Sequence, residues 1–131
     1  MANRIQAVST YRPRIKQKGT VSTERLAEFI EGRTALNYGE ILNVLMELHV
    51  AIRTYCLDGS AVKIEGLGTF SPSIALDGVF KVNCRMDVGI GKAMNVKAAF
   101  TGSIVNRNNV GLASEDLVAL WNLDHPDDPV V

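Results

Sequence analysis

The pattern of apolar and polar positions divides the 131-residue chain into a short alternating segment, two helical stretches, a run of strands and a last helix. Ile5-Gln6-Ala7-Val8-Ser9-Thr10-Tyr11 alternates weakly and predicts a strand, ended or bent by Pro13, which has no backbone N–H to donate. Gly19 closes this segment. A helix is expected to begin between Thr20 and Thr23. Ser22 suits its N-cap, Glu24 favours the positive end of the helix dipole, and Leu26, Phe29 and Ile30 form one apolar stripe that Gly32 ends. Asn37 and Glu40 have capping-box spacing and open a second helix from about Tyr38 to Asp58, with Gly59 as its stop.

The second helix says most about the molecule. At about 100° per residue from Ile41, the side chains of Val44, Leu45, Leu48, Ala51, Ile52, Tyr55 and Cys56 cluster on one face. Leu42, Met46, Val50 and Leu57 widen that face to about 180°, leaving Glu40, Asn43, Glu47, Thr54 and Asp58 in a polar wedge of about 60°. A helix that covers a single core needs a stripe only a little over ~100° wide. The excess predicts a homodimer, with Leu42, Met46 and Val50 in the interface and His49 and Arg53 at its rim.

After Gly59 the period changes from helical to alternating. Ala61–Ile64 leads through Glu65-Gly66-Leu67-Gly68 into a second strand, Thr69–Ile74, and Asp77-Gly78 signals a tight turn. Val79–Met86 then places Lys81, Asn83 and Arg85 on one face and Phe80, Val82 and Cys84 on the other. Gly89 and Gly91 break the run, a further strand is expected over about Ala93–Phe100, and residues 101–112 read as loop or irregular strand. The last helix starts near Ser114, with Glu115 and Asp116 in its first turn and Leu117, Leu120 and Trp121 packing, and stops before His125-Pro126. This order makes an α+β domain over residues 1–125, its first 19 residues an added strand segment, followed by an acidic tail, 126–131.

Composition narrows the class. With 47% hydrophobic and 21% charged residues the chain reads as an ordinary globular protein, and no apolar run approaches the ~20 residues of a membrane span. The first residues lack a signal peptide's apolar segment, so a cytoplasmic protein is expected. Cys56 and Cys84, without CxxC spacing, read as small core residues in a reducing compartment. Formal net charge is zero, yet the charges are segregated. Arg4, Arg12, Arg14, Lys16 and Lys18 precede any acid, whereas Glu115, Asp116, Asp124, Asp127 and Asp128 follow the last base. The two ends are then either separate solvated termini or partners.

Catalytic chemistry finds no support. Gly89-Ile90-Gly91-Lys92 lacks the first glycine and the Ser or Thr of a phosphate loop, and Gly66-Leu67-Gly68 lacks the third glycine of a dinucleotide site. His49 and His125 have no metal-ligand spacing, and nothing orders a Ser-His-Asp triad. No enzyme, metal or cofactor is expected.

The helix Thr23-Glu24-Arg25-Leu26-Ala27-Glu28-Phe29-Ile30, the long helix after it, and Gly59–Phe70 with its Gly-Leu-Gly-Thr-Phe ending resemble the HU/IHF family of dimeric bacterial DNA-bending proteins. The likeness is closest over residues 20–75. Ala98-Ala99-Phe100-Thr101-Gly102 is similar to that family's return from its β-arm. The resemblance implies two N-terminal helices, an antiparallel sheet with an arm, a C-terminal helix, and a nucleoid-associated dimer on double-stranded DNA. The chain departs from the family pattern in two ways: no proline stands between Pro72 and Pro126 to wedge into DNA as the family's arm-tip proline does, and the ends are additional. It therefore looks like a divergent HU-like branch, with Met86 as a candidate substitute wedge. The expected phosphate contacts are Lys81 and Arg85 on one strand, Lys92 and Lys97 on the return strand, Arg107 beyond it, and Arg12, Arg14, Lys16 and Lys18 as a second track. The alternative is an HU-fold assembly module that has lost DNA binding, which the zero net charge and missing proline favour.

Overall fold

The computed structural model describes residues 1–131, which pack as two compact units: residues 19–100, and a terminal unit made of residues 1–18 with 101–131. The order of elements along the chain had pointed to a single body over 1–125. Helices and small antiparallel sheets make both units, an α+β arrangement.

In the terminal unit, α1 (Arg4–Tyr11) packs on α5 (Ser114–Asp124), and the two-residue strands β1 (Arg14–Ile15) and β5 (Ile104–Val105) pair antiparallel. The predicted strand over Ile5–Tyr11 is therefore a helix. Asn3 caps it by accepting from the Gln6 N–H at 2.8 Å, and the hydroxyls of Ser9 and Thr10 return to the Gln6 carbonyl. Ala7 is fully buried and Val8 and Tyr11 half-buried, a helical i, i+1, i+4 set, while Ile5, which the alternation placed beside Ala7, is exposed. Packing on α5 overrides a weak strand propensity.

The residues beyond α5 are anchored rather than trailing. Trp121 Nε1 donates to the Asp128 carbonyl at 2.8 Å, and the Asn122 amide holds both backbone groups of Val130. The opposite charges of the two ends meet: Arg4 pairs with Glu115, the terminal ammonium lies 3.9 Å from Asp128, and Tyr11 donates to Asp124. Ala7, Leu117 and Trp121 are the buried apolar residues here, with Trp121 stacked on His125.

The other unit follows the predicted order closely as far as Met86. Its first helix, α2 (Thr23–Glu31), starts at the Ser22 cap, and the longest, α3 (Tyr38–Leu57), starts at an Asn37–Glu40 capping box with both hydrogen bonds formed. Strands β2 (Val62–Ile64), β3 (Gly68–Ile74) and β4 (Phe80–Met86) form an antiparallel sheet in the order β2-β3-β4, packed on α3. Two glycines set the first hairpin for different reasons. Gly66 has φ +80°, and a Cβ on Gly68 would stand 2.5 Å from the Arg85 carbonyl oxygen.

After Met86 the structure departs from expectation. Asp87 caps the Gly89 N–H, and the chain forms a short helix, α4 (Val88–Met94), followed by turns in which Ala98 takes φ +63°. No return strand exists over 93–100. Gly89 and Gly91, read as strand breakers, lie inside this helix. The unit 19–100 thus runs helix, helix, three strands, helix by itself. Its closing helix is α4, and α5 belongs to the terminal unit.

Candidate nucleic-acid interface

The register of the sheet sorts its side chains into two chemically different faces. Opposed residues share a face: Val62, Phe70 and Cys84 lie in one row, followed by Pro72 with Val82 and Ile74 with Phe80. The other face carries Lys63, Thr69 and Arg85 in a row across all three strands, then Ser71 with Asn83 and Ser73 with Lys81. Strand alternation predicted Lys81, Asn83 and Arg85 together, and the register adds Lys63. Alternation of Val62-Lys63-Ile64 already gave Lys63 a side, but which side of the sheet that was depended on the pairing offset set by the Gly66–Gly68 turn.

These cations are exposed and almost uncompensated. Lys81 and Arg85 have no acidic partner within ion-pair distance, and Lys63 alone stands 3.8 Å from Glu65. Asn83 Nδ2 donates to Ser73 Oγ at 3.2 Å, which fixes polar groups between them. A face of this kind offers phosphate oxygens charge and hydrogen-bond donors without reading base edges.

The apolar face is only partly covered by α3 in the single chain, with Val62, Phe70 and Pro72 half-buried and Ile74, Phe80, Val82 and Cys84 exposed. Between it and the C-terminal half of α3 lies an open groove of about 750 Å³ whose lining includes His49, Ile52, Arg53, Phe70, Pro72 and Phe80. Phe80 is 78% exposed and Met46 58% exposed, while Leu42 and Val50 are half-buried. The expected interface set Leu42, Met46, His49, Val50 and Arg53 thus forms one stripe along α3 that its own unit leaves largely open, running into the groove at its C-terminal end. Cys56 is buried, but Cys84, expected in a core, is exposed on the same uncovered face.

The remaining predicted contacts are distributed differently from expectation. Lys92 lies in the last turn of α4, where it suits the negative end of that helix, and Lys97 in the turn beyond; neither is on a strand. Arg12, Arg14, Lys16 and Arg107 surround the β1–β5 ribbon of the terminal unit, and Lys18 follows it. Met86 does not stand at a hairpin tip: it pairs with Gly68 at the base of the β3–β4 hairpin. The tip is Ala75-Leu76-Asp77-Gly78, closed by Ala75 and Val79, with Leu76 fully exposed. No group of three or more His, Cys, Asp or Glu side chains is placed to hold a metal, and no helix is long and apolar enough to cross a membrane.

Comparison with known proteins bears on this geometry. A sequence profile of the HU-HIG family, described as an HU domain fused to wHTH, Ig, or glycine-rich motif, matches residues 2–97. A search of curated proteins returns no match. The family is a non-enzymatic one, and HU proteins are nucleoid-associated. The matched segment is 96 of the 131 residues and takes in α1, β1, α2, α3, the three-stranded sheet and α4, so the chain belongs to the HU-HIG family of HU-like proteins.

Proposed function

We propose that this protein is a non-sequence-specific double-stranded DNA-binding architectural protein that acts as a homodimer, in the cytoplasm and on the nucleoid. One observation carries the reading: Lys63, Lys81 and Arg85 share an exposed sheet face whose reverse is apolar and open. A second copy covering the apolar side would present two such cationic faces to one duplex. Lys92 and Lys97 are further candidates for holding phosphates of that duplex, whereas Arg107, Arg12, Arg14, Lys16 and Lys18 lie on the terminal unit and are candidates for phosphates met by that unit alone.

Each phosphate neutralised releases condensed counterions, so the slope of log K against log salt is about −0.9 per neutralised phosphate on duplex DNA. Replacing Lys81 and Arg85 by Ala is expected to weaken binding to unrelated duplexes equally and to flatten the slope by about one unit for each phosphate no longer neutralised. Unchanged affinity and slope would show that this face is not the site.

A second reading has its own support. The hairpin tip carries an exposed leucine and an aspartate instead of a cation and a proline, which suits an assembly module that binds protein rather than DNA. A mobility-shift titration with generic duplex at low salt separates the two: no shift at high micromolar protein favours the assembly module.

A further inference from the structure

The terminal unit carries a cationic surface of its own. Arg14 and Ile15 are the paired strand, Arg12 is the bend that caps α1 just before it, and Lys16 follows directly, so three cations cluster along this short stretch of the ribbon.

The ribbon is held in shape by several bonds. Arg14 opposes Val105, Ile15 opposes Ile104, and the Lys16 N–H donates to the Ser103 carbonyl at 2.9 Å. The side-chain amide of Asn106 donates to the carbonyls of Thr10 and Arg12, and that of Asn109 to the carbonyl of Tyr11.

Four of the unit's five acidic side chains are engaged elsewhere, Asp127 being the exception. Glu115 is taken by Arg4, Asp124 by Tyr11, Asp128 by the amino terminus, and the Asp116 carboxylate accepts from the Ala113 N–H. Arg12, Arg14, Lys16 and Arg107 are all exposed and in no ion pair. The unit therefore has nearly balanced charge, six basic against five acidic side chains, while the cations around its ribbon are left unpaired.

Each of the two compact units thus carries exposed, unpaired cations on its own scaffold. We propose that the protein bridges duplexes: the β1–β5 ribbon holds the phosphates of a second DNA segment while the sheet face of the other unit holds the first. The proposal rests on the DNA-binding reading above and adds to it a second, separable site.

The test is a sandwich capture with the full chain. Biotinylated duplex on beads is incubated with protein and a labelled free duplex, and retention is compared with an ordinary mobility shift. Wild type is expected to retain the labelled duplex. R12A/R14A/K16A is expected to lower retention by about tenfold or more while its single-duplex affinity at low salt changes by less than about threefold, since the sheet face still binds. Circular dichroism checks that the variant is folded.

Retention unchanged in that variant would overturn the proposal, because two sheet faces of one dimer would then suffice. A parallel fall in shift and retention would overturn it too, by making the two surfaces one site. If wild type shifts no duplex at all, the DNA-binding reading fails and bridging with it. Shift without retention by wild type removes bridging alone.

Discussion

At the scale of single residues, the two glycines of the first hairpin make distinguishable demands. Gly66 needs only a positive φ, which costs an alanine about 1 kcal/mol, whereas Gly68 has no room for any Cβ because the β4 backbone lies against it. Backbone cannot swing aside as the end of a flexible side chain can. Gly68→Ala is therefore expected to destabilise by about 2–3 kcal/mol, more than Gly66→Ala, when both are compared by urea unfolding. Equal effects would mean that the β3–β4 register relaxes at little cost. The same position borders the cationic row, since Gly68 lies directly before Thr69, which is aligned with Lys63 and Arg85.

At the scale of elements, the joining of α1 to α5 has a charged component at its edge. Hydrogen bonding from the Arg4 guanidinium, then the backbone N–H of Glu115 itself and the Arg4 charge, hold the Glu115 carboxyl below the usual glutamate range. A depressed carboxylate contributes stability above its unfolded pKa and loses that contribution as pH falls through the folded value. Glu115→Gln is thus expected to lower the Tm of the terminal unit at neutral pH, with the gap to wild type closing as pH falls through the folded value. Both partners are exposed, so the effect is small and shrinks with added salt. A gap that persists unchanged at low pH would assign the effect to packing. Tyr11 behaves in the opposite sense: its hydrogen bond to Asp124 raises the phenol's pKa, so that contribution is lost at strongly alkaline pH.

At the scale of the whole molecule, exposed surface decides what the chain needs. It exposes 10,500 Å², where a compact monomer of its mass would expose about 6,800 Å² and two equal separate bodies about 8,200 Å². The buried apolar residues of the unit 19–100 are only Ala27, Ile41 and Cys56, and no large side chain is fully buried. A unit with so thin a core is expected to fold together with the second copy proposed above. Met46→Lys, in the middle of the open α3 stripe, is expected to give a monomer by sedimentation at concentrations where wild type is a dimer. It should also make the unfolding midpoint of wild type, but not of the variant, depend on protein concentration. A wild-type chain that sediments as a stable monomer would remove the dimer from the account.

Sequence alone determined what is local. Caps at Ser22 and Asn37, the stop at Gly59, the turn at Asp77-Gly78 and the two-faced strand at Lys81–Arg85 all rest on bonds within a few residues, so their signals are complete in the chain. The breadth of the α3 apolar face was likewise legible, because helical periodicity needs no tertiary information. Tertiary structure decided the rest. Residues 5–11 became helix because α5, more than a hundred positions away, supplies the surface that buries Ala7. Lys63 joined Arg85 because a pairing register, not a spacing, sets which strand faces coincide. The two ends formed one unit, with the acids drawn to Arg4, Tyr11 and the amino terminus and the ribbon's cations left open, because attraction between distant charges acts only once folding has brought them together.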